Sequence, residues 1–186
     1  MSDTADADAH LLRGYLRNQL QERSTLADSP ALCCNAVGEG ARLHLAVMSG
    51  PFLDLVVAGA KVVESRFHRV RQAPLFSAAS GDLIAFKQAS GPVRAIALVS
   101  DVEFVDLRRI PIQRVRDQFQ KDLAATDDDF WSSRADAKWV SLLSLDHVRE
   151  ISPVLLSKRD RRGWIRYPQH CFTCGARQED PAFDLC

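Results

Sequence analysis

Apolar residues along this chain change period several times, and each change marks an element. Leu11, Leu12, Tyr15, Leu16 and Leu20 recur at helical spacing, which predicts a helix over 10–23. Residues 1–9 ahead of it are small and acidic and are expected to be disordered. Positions 24–40 contain Pro30, Gly38 and Gly40 and read as a linker. Alternation then begins. Leu43, Leu45 and Val47 share one side of a strand predicted over 42–48.

The apolar run 51–58 predicts two turns of helix, opened by Pro51 and stopped by Gly59. Beyond Gly59 the period falls to two. Val63, Ser65 and Phe67 take one face, and Glu64, Arg66 and His68 take the other, with Lys61 at the bend. A small-residue loop at 73–80, a Gly81-Asp82 turn, a strand over 83–87 and a valine-rich strand over 93–106 follow. Ile112, Val115, Phe119 and Leu123 restore helical spacing over 111–124, and Thr126 is placed to cap a short helix bearing Phe130 and Trp131. Positions 139–148 and 164–167 read as strands around a basic loop at 157–162. Short strands, few helices and no regular strand–helix alternation predict an α+β domain around a small mixed barrel.

Composition changes this picture only in places. A chain of 186 residues with 46% hydrophobic and 26% charged content has material for one cored domain plus an extension. The 24 basic and 24 acidic residues cancel, which argues against a protein that coats nucleic acid non-specifically by bulk charge. The charge is uneven, however. Between 42 and 94 the bases Arg42, Lys61, Arg66, Arg69, Arg71, Lys87 and Arg94 face only Asp54, Glu64 and Asp82, and 158–166 adds five bases against Asp160. No apolar run approaches the ~20 residues of a membrane span, and the acidic N-terminus is no secretory signal, so a cytoplasmic location is expected. Five cysteines, two of them adjacent at Cys33 and Cys34, are poor material for a disulfide framework.

Strand, short helix, Gly59-x-Lys61-x-x-Glu64-x-Arg66, Gly81-Asp82 and a long strand, in that order, resemble the ASCH domain over about 42–167. The resemblance implies a PUA-like small mixed β-barrel flanked by helices, related in fold to the PUA, EVE and YTH modules that bind RNA or modified bases. It divides the chain into an N-terminal helical extension (1–40), the domain (41–168) and a cysteine-containing tail (169–186). It also implies a cleft between barrel and helices lined by Lys61, Glu64 and Arg66. Members of the family have been linked to RNA binding, transcription coactivation, ribonuclease activity and hydrolysis of N4-acetylcytidine; fold selects none of these. The acetylcytidine hydrolases use a threonine nucleophile three residues after the motif lysine. Here that position is Glu64, and Val62 fills another position where threonine is common, which argues against that chemistry.

The residues themselves support several roles. Lys61 and Arg66 would grip phosphate or base oxygens, and Glu64 would accept from a base amine. The alternative is a salt-bridge network closing the barrel mouth. His68 on the same face, or Lys61, would serve as general base if the cleft is an RNA- or nucleoside-hydrolysing site, with Glu64 positioning water. Arg69, Arg71, Lys87 and Arg94 would follow a phosphate backbone or simply be solvated charge. Trp164 beside Arg166 is either a stacking platform for unpaired bases or a buried anchor. In the tail, His170, Cys171, Cys174 and Cys186 would hold a structural zinc, form a redox pair or remain reduced thiols; no other cofactor is expected. RNA or a modified nucleotide is the expected partner, with no membrane contact. The N-terminal helix would pack on the domain, on another protein, or on a second copy to give a homodimer.

Overall fold

The structure is a computed structural model and describes residues 7–16, 42–49, 51–157 and 162–167. Helix α1 covers 7–16; α2 (Phe52–Val57), α3 (Ile112–Phe119) and α4 (Asp128–Ser132) are short. Among the described residues, strands β1 (Leu43–Met48), β2 (Val63–His68), β3 (Leu83–Gln88), β4 (Val93–Asp106), β5 (Trp139–Val154) and β6 (Trp164–Arg166) form one sheet in the order β2-β5-β4-β3-β1-β6. The β1–β3 pair is parallel and the other pairs are antiparallel, which makes the sheet mixed. The fold is α+β.

The long β4–β5 ribbon is what bends the sheet. Its register shifts at Val93/Ala95, Ile96/Leu98 and Val99/Asp101, and each such bulge kinks and twists a ladder. The sheet therefore curls into a half-barrel. On the inner face Ala46, Met48, Ile84, Phe86, Ala97, Val99 and Leu143 pack with Leu53 and Val56 of α2. On the outer face Leu43, Leu45, Leu83, Ile96 and Ile165 pack against Ala9, Leu12 and Leu16 of α1. A third cluster joins Val63, Val105, Val140 and Leu142 to Val115, Leu123 and Trp131, so α3 and α4 cover the far end of the sheet. Pro153 is tolerated within β5 because β2 pairs only with Trp139 to Ser144, which leaves that stretch without a second neighbour.

The bend at Gly59 is built as the sequence suggests. Gly59 has φ 71°, its N–H donates to Val56 O (3.0 Å), and the Ala60 N–H donates to Leu55 O (2.9 Å). This pair of bonds is a Schellman motif, which satisfies carbonyls that the end of α2 leaves open. The Lys61 N–H shares the Leu55 acceptor at 3.0 Å, so the turn also sets where Lys61 starts.

Three expectations need correction. Residues 7–9 belong to α1, and Asp8 is buried with its carboxylate accepting from the Ser157 N–H at 2.9 Å. Positions 17–23 of the expected helix lie outside the described residues. The expected helix 111–124 ends at Phe119; the chain then turns through Ala124 (φ 51°), and Asp122 O accepts from the Val62 and Val63 N–H groups. The cap of α4 is Asp127, whose side chain accepts from Asp129 N, one residue after the threonine expected to do so.

A Cβ at Gly59 meets nothing within 4 Å, so substitution there tests backbone conformation alone. Gly59→Ala is expected to lower stability by about 1–2 kcal/mol, and Gly59→Asn by less. Urea midpoints of the two variants against the wild type check this.

Candidate functional site

Strand β2 carries its polar residues on the inner face. Glu64 opposes Leu143, Arg66 opposes Ser141 and His68 opposes Trp139 across the β2–β5 ladder, and Leu143 belongs to the inner cluster. Alternation therefore sends an acid and two bases into the half-barrel, where water is scarce. The carboxylate is shared. Glu64 Oε2 lies 3.3 Å from Lys61 Nζ, and Oε1 lies 2.8 Å from Arg66 Nε, whose N–H is not aimed at the oxygen. Lys61 and Glu64 are each only 3% exposed.

The other bonds of these cations show what they do in the fold. Lys61 Nζ donates to Val63 O (2.6 Å) and Leu123 O (3.4 Å), which joins β2 to the segment after α3. Arg66 donates from its two terminal nitrogens to Val47 O and Gly163 O, both at 3.1 Å. Val47 lies in β1 and Gly163 precedes β6, at the opposite end of the sheet from β2. The guanidinium thus spans the gap between the two edges of the half-barrel, where no backbone ladder joins them among the described residues. Its group lies 5.2 Å from the Trp164 ring. Trp164 Nε1 donates to His44 Nδ1 (3.2 Å), and His44 Nε2 lies 2.9 Å from Asp82 Oδ2. Because indole N–H is only a donor, Nδ1 must accept, so the proton sits on Nε2 and is donated to Asp82.

Space opens beside this network. A recess of about 100 Å³ is lined by Lys61, Glu64, Arg66, Phe52, Phe130 and Arg134, with Ser65 and the end of β1 completing it. A groove of about 710 Å³ shares Ser65, Arg66 and Arg134 with the recess and continues along Phe67, Arg69, Val70, Gln72, Ser133 and Asp136. Arg134 is the functional candidate that the sequence reading missed. It follows a short helix and has no motif around it; only the fold brings it to β2. Its guanidinium lies 3.8 Å from the Phe130 ring centroid, and one terminal nitrogen donates to Phe130 O and Ser133 Oγ. Nε and the other terminal nitrogen make no hydrogen bond to the described residues, so donors remain for a ligand. Burial pushes Lys61 below the usual lysine range, against the pull of Glu64, and Arg66 and Arg134 push it further down. Burial likewise lowers Arg134.

Several expected site residues have other work. His68 is 2% exposed, lines neither cavity and bonds Ser141 Oγ at 2.9 Å, with Nδ1 unpartnered among the described residues. Burial, with Arg66 adding to it, lowers its pKa to about 4, well below that of a neutral-pH general base. Trp164 is buried, so it stacks with Arg66 and not with a base. Lys87 is buried and its ammonium donates to Gln88 O and Gly91 O, fastening the β3–β4 turn. Arg94 pairs with Asp54 (2.9 Å) and Glu150 (3.3 Å), pinning α2 to β5. Arg69 lines the groove but is paired with Asp136 at 2.7 Å. Arg71 lies outside both cavities, and Arg166 sits in β6, paired across from His44. His170, Cys171, Cys174 and Cys186 lie outside the described residues. No group of three or more histidine, cysteine and acidic side chains suited to a metal occurs among the described ones.

Fold and site together define an α+β half-barrel with a charged cleft between its open edge and a short helix. No family model matches the chain, and no curated protein matches it. Solved structures similar to it include the ASCH protein of Zymomonas mobilis (16% identity, TM-score 0.49, covering 60% of this chain and 72% of that one). A single-site variant of that protein is similar at 18% identity and TM-score 0.48, covering 60% and 74%. The N-terminal domain of Staphylothermus marinus McrB is similar at 13% identity and TM-score 0.36, covering 60% and 75%. No helix among the described residues is long and apolar enough to cross a membrane.

Two predictions follow from the charge arrangement. Glu64→Gln leaves buried cations uncompensated and is expected to cost on the order of 3 kcal/mol, whereas Asp136→Asn, in an exposed pair, costs less than about 1 kcal/mol. Parallel denaturant melts of the two variants measure the contrast. His68 gives the second. Its folded pKa of about 4 lies below the unfolded 6.5, so only the unfolded chain takes up that proton between those values. Stability should fall as pH drops from 6.5 towards 4, by at most about 3 kcal/mol for this one group. His68→Gln should flatten that part of the pH profile, and a slope identical to the wild type's would refute the assignment.

Proposed function

We propose that this protein binds RNA or a modified nucleotide in the cleft, with a base edge in the recess and the sugar–phosphate in the groove. The observation that carries this is Arg134: a cation with uncommitted donors, stacked on Phe130, standing between a buried carboxylate and an open groove. A groove of about 710 Å³ falls in the range of small-molecule sites. The recess of about 100 Å³ equals roughly three waters, enough for the edge of a base but not for a nucleotide. Glu64 keeps acceptor capacity after meeting Lys61 and Arg66, since a carboxylate offers about four lone-pair sites. A base with an exocyclic amine suits that acceptor. The resemblance to the ASCH domain supports the same ligand class.

The roles differ from those that the motif suggests. Lys61 and Arg66 hold the walls, Glu64 faces the base, and Arg134, with Arg69 further out, meets phosphate. A hydrolytic role for this cleft draws no support from His68, which lies outside both cavities.

Lys61 and Arg66 are poor diagnostic sites because their loss also loosens the half-barrel. Arg134→Ala is the better variant. Titration of single-stranded RNA at two salt concentrations should show about tenfold weaker binding and a salt slope reduced by about one. Wild-type affinity and slope in Arg134→Ala, Arg69→Ala would reject the cleft as the binding site.

A further inference from the structure

Outside the cleft, the loop between β2 and β3 displays an aromatic ring. Phe76 is 60% exposed and its backbone has φ 57°, a left-handed conformation that bulky side chains rarely adopt. The loop is not loose. Leu75 and Ala78 are buried, the Ser77 N–H donates to Pro74 O (2.9 Å), and Arg42 donates to Ser77 O (3.0 Å). A pinned loop thus holds out a phenylalanine where packing does not need it. Among the described residues its one ring neighbour is Phe104, at 5.1 Å between centroids.

Beside it stands Arg71. Its guanidinium lies 5.9 Å from the Phe76 ring and 5.8 Å from the Trp139 ring. It makes no hydrogen bond or ion pair to the described residues, so all five of its donors are uncommitted while two rings hold it in place. Arg108 also lies over Trp139, 4.6 Å from its ring, and the Arg109 side chain is 86% exposed; Asp106 is the carboxylate paired with both. The surface is therefore aromatic and net cationic. Arg71 also lies between Val70 and Gln72, which line the groove.

We propose that Phe76 and Arg71 form a second contact for single-stranded nucleic acid, continuous with the groove: an unpaired base stacks on the Phe76 ring, and Arg71 takes the adjoining phosphate. The ligand class rests on the reading of the cleft; the position does not. Charge complementarity selects this occupant, since a polyanion with exposed π-faces matches uncommitted guanidinium donors beside an exposed ring.

The test uses the full chain, an oligoadenylate of about ten nucleotides and, separately, adenosine monophosphate. Phe76→Asn suits the left-handed backbone, so its thermal midpoint should equal or exceed that of the wild type. The oligomer should bind Phe76→Asn and Arg71→Ala about tenfold more weakly, Phe76→Trp should bind like the wild type, and affinity for the mononucleotide should be unchanged. Wild-type oligomer affinity in both Phe76→Asn and Arg71→Ala would overturn the proposal, and a lowered midpoint in Phe76→Asn would make the ring a packing residue and overturn it too. If Arg134→Ala weakens binding while these two variants do not, only the second contact fails. If they weaken binding while Arg134→Ala does not, only the cleft fails.

Discussion

One guanidinium holds the half-barrel in shape. A sheet that curls without closing leaves two edges with unpaired carbonyls, and each such group buried without a donor costs free energy. Here Arg66 reaches from β2 to Val47 O and to Gly163 O, the latter also accepting from the Val47 N–H at 2.9 Å, with its charge balanced by Glu64 at 2.8 Å and its guanidinium 5.2 Å from the Trp164 ring. A lysine would not reproduce it, because a single nitrogen cannot place separate donors in the fixed, forked geometry that a guanidinium offers to two carbonyls while also meeting a carboxylate. A Cβ at Gly163 would lie 3.3 Å from an Arg66 terminal nitrogen, so even the neighbouring backbone is shaped to admit the guanidinium.

The seam also orders the inner face. From Arg66 the contacts run through Trp164 and His44 to Asp82, which in turn accepts from the Ala79 N–H at 2.8 Å and so anchors the turn before β3. A polar chain inside a barrel is costly unless its members are satisfied, and here the indole N–H, both His44 nitrogens and the Asp82 carboxylate each find a partner whose donor or acceptor role is dictated by chemistry. The recess beside Glu64 is lined by Lys61, Arg66 and Arg134 together with the rings of Phe52 and Phe130.

The basic excess between Arg42 and Arg94 has mostly structural uses. Lys61, Arg66, Lys87 and Arg94 are bound to carbonyls or carboxylates of this same chain. Within that stretch Arg69 lines the groove while paired with Asp136, and Arg71 is held against aromatic rings with donors to spare; Arg134, from beyond it, is held in the same way against Phe130. Counting charges along a chain cannot separate the two groups, since a cation bonded to a carbonyl and a cation with open donors have the same one-letter code.

Local pattern was enough for the elements. Period-two alternation placed Glu64, Arg66 and His68 on one face of β2, and the Pro51 and Gly59 signals bounded α2, because both depend on neighbours in sequence and on backbone sterics. Cap positions shifted by a residue, as with Asp127 in place of Thr126, since several side chains near a helix start can accept the same N–H. Tertiary structure alone decided which polar groups face a cavity. Arg134 shares the recess with Glu64 because the chain after α4 lies against β2, His68 bonds to Ser141, and Trp164 bonds to His44, 120 residues away in the chain. Those outcomes depend on pairs of residues brought together across the sheet, and the separation in sequence carries no trace of them.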